Sequence, residues 1–219
     1  MPAPSTTLRE GRRRNLVAAC RTIFDARGVA EAPVEEIARA VGIARGLIYR
    51  EFTAKEELVV LTVAGYLAEL AALMDVAVAS ETEPAAQLER LVTAYTGFCG
   101  RYPAFLDGQI GLLRRPSREL AALISDDVWD ELGQATAGCL GPVAEVIRAG
   151  CECGDFSVAD PQLTANLVWA QMLGAMHLAR LGVGAGRAPD GEPALFRIAP
   201  PALVGACVAS ALATVGARR

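Results

Sequence analysis

Histidine and lysine occur once each in this chain of 219 residues, and aromatic side chains make up only 5% of it. A lone His177 cannot assemble a histidine-rich metal centre. A Ser-His-Asp or Cys-His catalytic arrangement would have to be built on it with no flanking motif. Nucleophile-elbow spacing is missing as well, so no enzymatic activity is expected. Sustained period-two alternation of β-branched and aromatic residues is also absent, which argues against a sheet-rich fold. Bulk positive charge is lacking too: 21 basic and 25 acidic side chains leave the chain at −4. Any surface for nucleic acid must then come from local segregation of charge. Segregation is present, with +2 over residues 1–60 and −6 over the remainder.

The six cysteines, at 20, 99, 139, 151, 153 and 207, do not form the dense framework of a small secreted domain, and no secretory n-region stands near Met1. A reduced, cytoplasmic protein is expected. Cys151 and Cys153 with His177 fall short of the four ligands of a tetrahedral site, so they read as small hydrophobes and no metal is expected. Gly182-x-Gly184-x-Gly186 follows a helical pattern rather than a strand, so it reads as a loop and not a phosphate cradle, and no cofactor is expected. Residues 198–217 carry no charge over the length of a spanning helix. Pro200, Pro201 and many small residues make lipid transfer weakly favourable there, so no membrane partner is expected.

Hydrophobic residues make up 53% of the chain, enough to bury a core. They recur at helical spacing nearly throughout. Leu16, Cys20, Ile23 and Phe24 give a first amphipathic helix that Gly28 ends, with a basic arm of Arg9 and Arg12–Arg14 leading into it. Short helices follow at about 34–41 and 44–51, then a long one from Lys55 to about Ala79. A fifth carries Leu88, Leu91, Val92, Tyr95, Phe98 and Cys99 on one face and stops before Pro103. A sixth covers about 104–113, and a seventh, capped by Ser117, runs to Cys153 with a kink at Pro142. Asp160-Pro161 opens an eighth that ends near Gly182. A Gly/Pro loop over 183–199 and a small-residue ninth helix complete the chain.

Residues 34–52 are the most informative. Ile37, Ala38, Val41, Gly42, Ile43 and Ile48 sit at helix-turn-helix spacing: Ala38 is small where two helices cross, and Gly42 permits the sharp turn between them. Inward burial of the aliphatics leaves Arg45, Gly46, Leu47, Tyr49 and Arg50 on the outside of a short helix suited to a major groove. The wider set of Arg14–Cys20, Ile23-Phe24, Gly28-Val29, Ile37-Ala38, Gly42–Tyr49, Phe52 and Lys55–Leu58 resembles the DNA-binding domain of the TetR family of transcriptional regulators.

That resemblance implies an all-α chain of about nine helices. An N-terminal arm and three-helix helix-turn-helix domain (1–54) would precede a larger ligand-binding and dimerisation domain (55–219). It implies that Arg45, Gly46 and Leu47 meet base edges, an arginine there suiting guanine O6 and N7. Tyr49 and Lys55 would contact phosphate, with Arg50, Arg14 and Pro33 completing the DNA-facing set. Three positions depart from the family pattern. Pro33 replaces a common threonine, and Ala44 replaces the usual serine and removes the recognition helix's N-cap. Glu51 would repel phosphates unless it turns inward, pairs with an arginine or accepts from a cytosine.

On the eighth helix Leu163, Leu167, Ala170, Gly174, Leu178 and Leu181 share one face, and Trp169, Met172, Leu173 and Met176 the opposite one. Gly205, Ala209 and Ala213 recur every four residues on the ninth. Such helices suit a homodimer interface. By resemblance, a small-molecule effector lies among the middle helices, with Tyr66, Tyr95, Phe98, Tyr102, Phe105, Trp129, Trp169 and Met172 as candidates, although each is also a natural core residue. Few basic residues share those faces, so a mostly apolar effector is expected. The acidic group Asp126, Asp127, Asp130 and Glu131 reads as a solvated face or a site for a cation. The function expected is a homodimeric repressor that a ligand releases from a double-stranded DNA operator. The alternatives are an activator with the same DNA-binding domain, a helical small-molecule-binding protein, and a membrane-tethered regulator.

Overall fold

The structure is a computed structural model and describes residues 4–28 and 34–217. Among these residues it holds ten helices and one hairpin. The elements run α1 (Pro4–Arg27), α2 (Val34–Ala40), α3 (Arg45–Glu51), α4 (Lys55–Ala79), α5 (Pro84–Arg101) and α6 (Pro103–Leu113). They continue with α7 (Ser117–Ala121), α8 (Asp126–Cys153), α9 (Pro161–Leu181), β1 (Val183–Arg187), β2 (Pro193–Arg197) and α10 (Pro200–Thr214). The fold is all-α, as expected.

Packing divides the chain into two compact units. The first holds the described part of Met1–Ala68 together with Tyr102–Thr136. Its core forms where Leu16, Cys20, Ile23 and Phe24 of α1 meet Ile37 and Ala38 of α2, Ile48 of α3, Phe52, and Leu58 and Leu61 of α4. The i, i+4, i+7, i+8 spacing on α1 is what aims its four side chains at one place. Burying each large one contributes about 1.5–3 kcal/mol. The second unit holds Glu69–Arg101 and the described part of Ala137–Arg219. There α5 packs on α9 and α10, and α9 on α10. Leu88, Leu91, Val92, Tyr95, Phe98 and Cys99 are all buried, the face expected from their spacing.

Four local expectations need correction. Arg9 and Arg12–Arg14, expected as a basic arm leading into the first helix, lie within α1. The helix expected from Ser117 to Cys153 is two helices, because the Ser125 N–H donates to Glu57 Oε1 at 2.7 Å and is lost to any helical ladder. Helix α8 then restarts with the Val128 and Trp129 N–H groups on the Ser125 carbonyl, and it continues through Pro142. Ser117 is inside α7 and caps nothing, since the N-cap position belongs to Pro116. Asp160, by contrast, does cap α9, accepting from the Leu163 N–H at 2.9 Å with Pro161 in the first turn.

The 183–199 segment is not a loop but an antiparallel hairpin, pairing Val183 with Arg197 through to Arg187 with Pro193. Glycines make poor strands, yet Phe196 lies over two of these: a Cβ on Gly184 would come within 2.6 Å of its ring. The aromatic ring covers backbone that side chains would otherwise shield. The turn closes through the Gly191 N–H on the Ala188 carbonyl, with Gly191 at φ +87°. Helix α10 has 15 residues, so at ~1.5 Å per residue it is too short to cross a bilayer. Among the described residues, α4 alone is long and apolar enough by length and composition, and half of its most apolar window is buried.

Candidate nucleic-acid interface

The turn between α2 and α3 sets the geometry of the site. Gly42 sits at φ +71°. Its N–H donates to the Arg39 carbonyl at 3.1 Å and the Ile43 N–H donates to the Ala38 carbonyl at 3.0 Å. These are the paired bonds of a Schellman closure, which satisfy the last carbonyls of α2 and require a left-handed residue at that point. Ala44 then takes extended backbone, with no side-chain cap on α3, as its methyl side chain dictates.

Helix α3 is anchored from below by Ile48, 2% exposed, and by Glu51. Glu51 resolves the difficulty its charge poses. Its carboxylate is turned inward and accepts from Arg12 Nη1 at 2.9 Å, so the negative charge is neutralised on α1 rather than presented to phosphates. The basic stretch of α1 therefore serves in part to hold the recognition helix down. Arg13 adds to this by placing its guanidinium 5.3 Å from the ring centre of Phe52, the residue that ends α3.

Above that anchor, Arg45, Gly46, Tyr49 and Arg50 are exposed and Leu47 is half-buried. Tyr49 does not pack into the core against α1; it is 47% exposed. One turn apart, Arg45 and Tyr49 interact, with the guanidinium 5.7 Å from the ring centre. Arg45 also pairs with Glu35 of α2 at 2.5 Å. The hydrogen bond with Tyr49 and then the Glu35 carboxylate push its pKa further up. A fully ionised, pre-positioned guanidinium thus stands on the outer face of α3.

Lys55, half-buried, opens α4. That end is fixed by Glu57, which is 2% exposed. Its carboxylate accepts from the Thr53 N–H and the Ser125 N–H, each at 2.7 Å. Burial opposes ionisation, but the amide donors of Ser125 and Thr53 outweigh it and hold the carboxyl below its ordinary range. One side chain so ties the α3–α4 turn to the start of α8. Arg14 is exposed on α1, and Pro33 lies outside the described residues.

The candidate effector residues fall into two groups, one in each unit. In the first unit, Tyr66 is fully buried with ring centres of Tyr102 and Phe105 each 5.7 Å away, while Trp129 is partly buried against the core that holds Leu16, Phe24 and Ile48. The Tyr66 hydroxyl donates to Asp25 at 2.5 Å, and burial followed by that carboxylate pushes its pKa up. In the second unit Tyr95 meets Trp169 edge-on at 4.7 Å, Phe98 is buried, and Met172 lines a cavity of about 190 Å³ between α9 and α10. Of the dimer candidates, Leu163, Leu167 and Leu178 are 57%, 49% and 37% exposed, and Gly174, Gly205, Ala209 and Ala213 are exposed too. Met172, Leu173 and Met176 of α9 are buried. No group of three or more metal-ligating side chains occurs among the described residues.

Against known proteins, residues 16–61 match the family model described as bacterial regulatory proteins, tetR family. The HTH-type transcriptional repressor KstR2 of Rhodococcus jostii (strain RHA1) is 38% identical over 155 residues, which span 71% of this chain and 72% of that protein. Among solved structures, RolR in complex with resorcinol superposes with a TM-score of 0.69 at 18% identity, covering 97% of this chain and 91% of that one. The transcriptional regulator FadR from Bacillus subtilis, in complex with stearoyl-CoA, superposes with a TM-score of 0.65 at 13% identity, covering 92% and 98%.

Proposed function

The chain belongs to the TetR family of bacterial transcriptional regulators, and from that premise we propose a homodimeric repressor that a small, mostly apolar effector releases from its operator. The observation that carries the proposal is the recognition helix: Ile48 and Glu51 hold α3 down while Arg45, Gly46, Tyr49 and Arg50 face outward. Residues 1–54 read DNA and 55–219 hold ligand and partner. Arg45 addresses guanine O6 and N7, trading its ion pair with Glu35 for the base edge, with Gly46 and Leu47 alongside. Arg50, Lys55 and Arg14 neutralise phosphates, the Tyr49 hydroxyl donates a hydrogen bond to one, and together they set register.

Repression is supported by the name of the 38% identical relative. Ligand response is supported by neighbours of the same fold that were solved with resorcinol and with stearoyl-CoA. The second copy is supported by the exposed leucine row of α9 and the small-residue row of α10, which a partner's helices would bury. Release is a population shift, in which the effector moves the equilibrium only by its differential affinity for the two spacings of the recognition helices. The test is fluorescence anisotropy on bound genomic fragments, followed by an apolar compound screen. Salt-dependent binding and compound-driven release support the proposal, whereas binding to no duplex at low salt contradicts it.

A further inference from the structure

The β1–β2 hairpin is rooted where α9 ends and α10 begins. Gly182 closes α9 at φ +70°, and Val183 follows it directly into β1. The Ile198 N–H donates back to the Gly182 carbonyl at 3.1 Å, just before α10 starts. The pairing register puts Val183, Ala185, Arg187, Pro193, Leu195 and Arg197 on one face and Gly184, Gly186, Ala194 and Phe196 on the other. Phe196 lies on its own glycines. The first face has no such cover: Leu195 is 74% exposed, and Val183 is exposed as well. Of the twelve large hydrophobic side chains exposed among the described residues, seven fall between Leu163 and Phe196, so this stretch carries most of that unburied apolar surface. A two-stranded hairpin with both faces in water is marginally stable, because one ladder and little burial oppose the entropy of its backbone. Such an element needs a surface to lie on.

We propose that the Leu195 face of this hairpin packs on a second copy of the chain, as an arm that extends the contact made by α9 and α10. The inference rests on the homodimeric reading above and adds a contact which that reading does not include. A second copy is the occupant because the hairpin continues the exposed leucine row of α9 without a break, through Leu178, Leu181 and Val183. Area points the same way. A stable interface takes about 800 Å² from each partner. The row that faces out of α10 is Gly205, Ala209 and Ala213, and side chains that small bring little surface. Val183 and Leu195 add an apolar centre, with Arg187 and Arg197 at the corners of the same face, and an apolar centre inside a polar rim is the anatomy of a protein interface. Two-fold symmetry lays each arm on the other protomer, so the contact occurs twice in the dimer.

The test is sedimentation equilibrium of the full chain over a dilution series, with hydrogen exchange measured at both ends of the series. The parent should dimerise, and the amides of 183–187 and 194–197 should be protected in the dimer and exchange fast in the monomer. Leu195→Glu should raise the dimer dissociation constant about a hundredfold, roughly tenfold for each of the two copies of the contact. Leu195→Thr keeps a strand-favouring residue and should raise it about tenfold. Leu113→Glu changes a similarly exposed leucine at the end of α6, outside the stretch, and should leave it unchanged. The arm is overturned, and the homodimer stands, if both Leu195 variants dimerise as the parent does or if the hairpin amides exchange as fast in the dimer as in the monomer. It is also overturned if Leu113→Glu weakens the dimer as much as Leu195→Glu, since added charge alone would then account for the effect. A parent that stays monomeric at every concentration overturns the arm and the homodimer together.

Discussion

Replacing Glu57 by glutamine isolates the one buried carboxylate that joins the α3–α4 turn to the start of α8. In the parent chain it accepts two backbone N–H bonds at 2.7 Å, from Thr53 and Ser125, in a site 2% exposed. Bonds to a charged acceptor contribute about 1.5–3 kcal/mol each. Glutamine keeps one acceptor oxygen, now neutral, and turns an NH2 group towards the other amide, leaving two donors facing each other. The expected loss is about 2–4 kcal/mol at pH 7, read by urea denaturation at fixed protomer concentration. The pH dependence provides the internal check. Because the folded carboxyl titrates below its ordinary value, its contribution is complete above that value and disappears as pH falls through the folded one. Parent and variant should therefore converge on acidification. A deficit below 0.5 kcal/mol, or one that stays constant down to the acid limb, would refute the assignment.

Other expectations concern separate parts of the molecule. Gly42→Ala puts a Cβ on a residue at φ +71° with open space around it, so backbone strain alone should cost about 1–2 kcal/mol and lower the melting temperature. Leu167→Glu on the exposed row of α9 should give folded monomers by analytical ultracentrifugation and weaken operator binding, whereas an intact dimer would remove that row from the interface. Burial pushes the thiol of Cys20 up to about 11 and those of Cys99 and Cys139 to about 12. Ellman's reagent in native buffer should therefore modify the exposed Cys153 first and those three only on unfolding.

The turn of the helix-turn-helix was legible because its determinants are local. Gly42, Ile43 and Ala38 lie within six residues, and the turn they form can be read from residue type alone. The face of α5 was legible for the same reason. Glu51 shows the limit: its charge posed the question, but the answering Arg12 lies 39 residues away on a stretch that reads equally well as a DNA-binding arm. Glu57 stood only as one residue of the Lys55–Leu58 stretch and gave no signal of its contact, which is with an amide 68 residues distant and is also what splits the expected seventh helix. The hairpin had one usable cue, Pro189-Asp190-Gly191, whose residue types favour a tight turn. Val183–Arg187 obscured it by offering almost no side chains from which a period of two could be read.

Selection of duplexes from a random DNA pool by the full chain, repeated with Arg45→Ala, tests the reading of α3 most directly. The parent should enrich a two-fold symmetric sequence with half-sites about 10 base pairs apart, and the variant should lose preference at one position in each half-site while retaining salt-sensitive binding. Enrichment of no symmetric sequence, or identical preferences with and without Arg45, would contradict it.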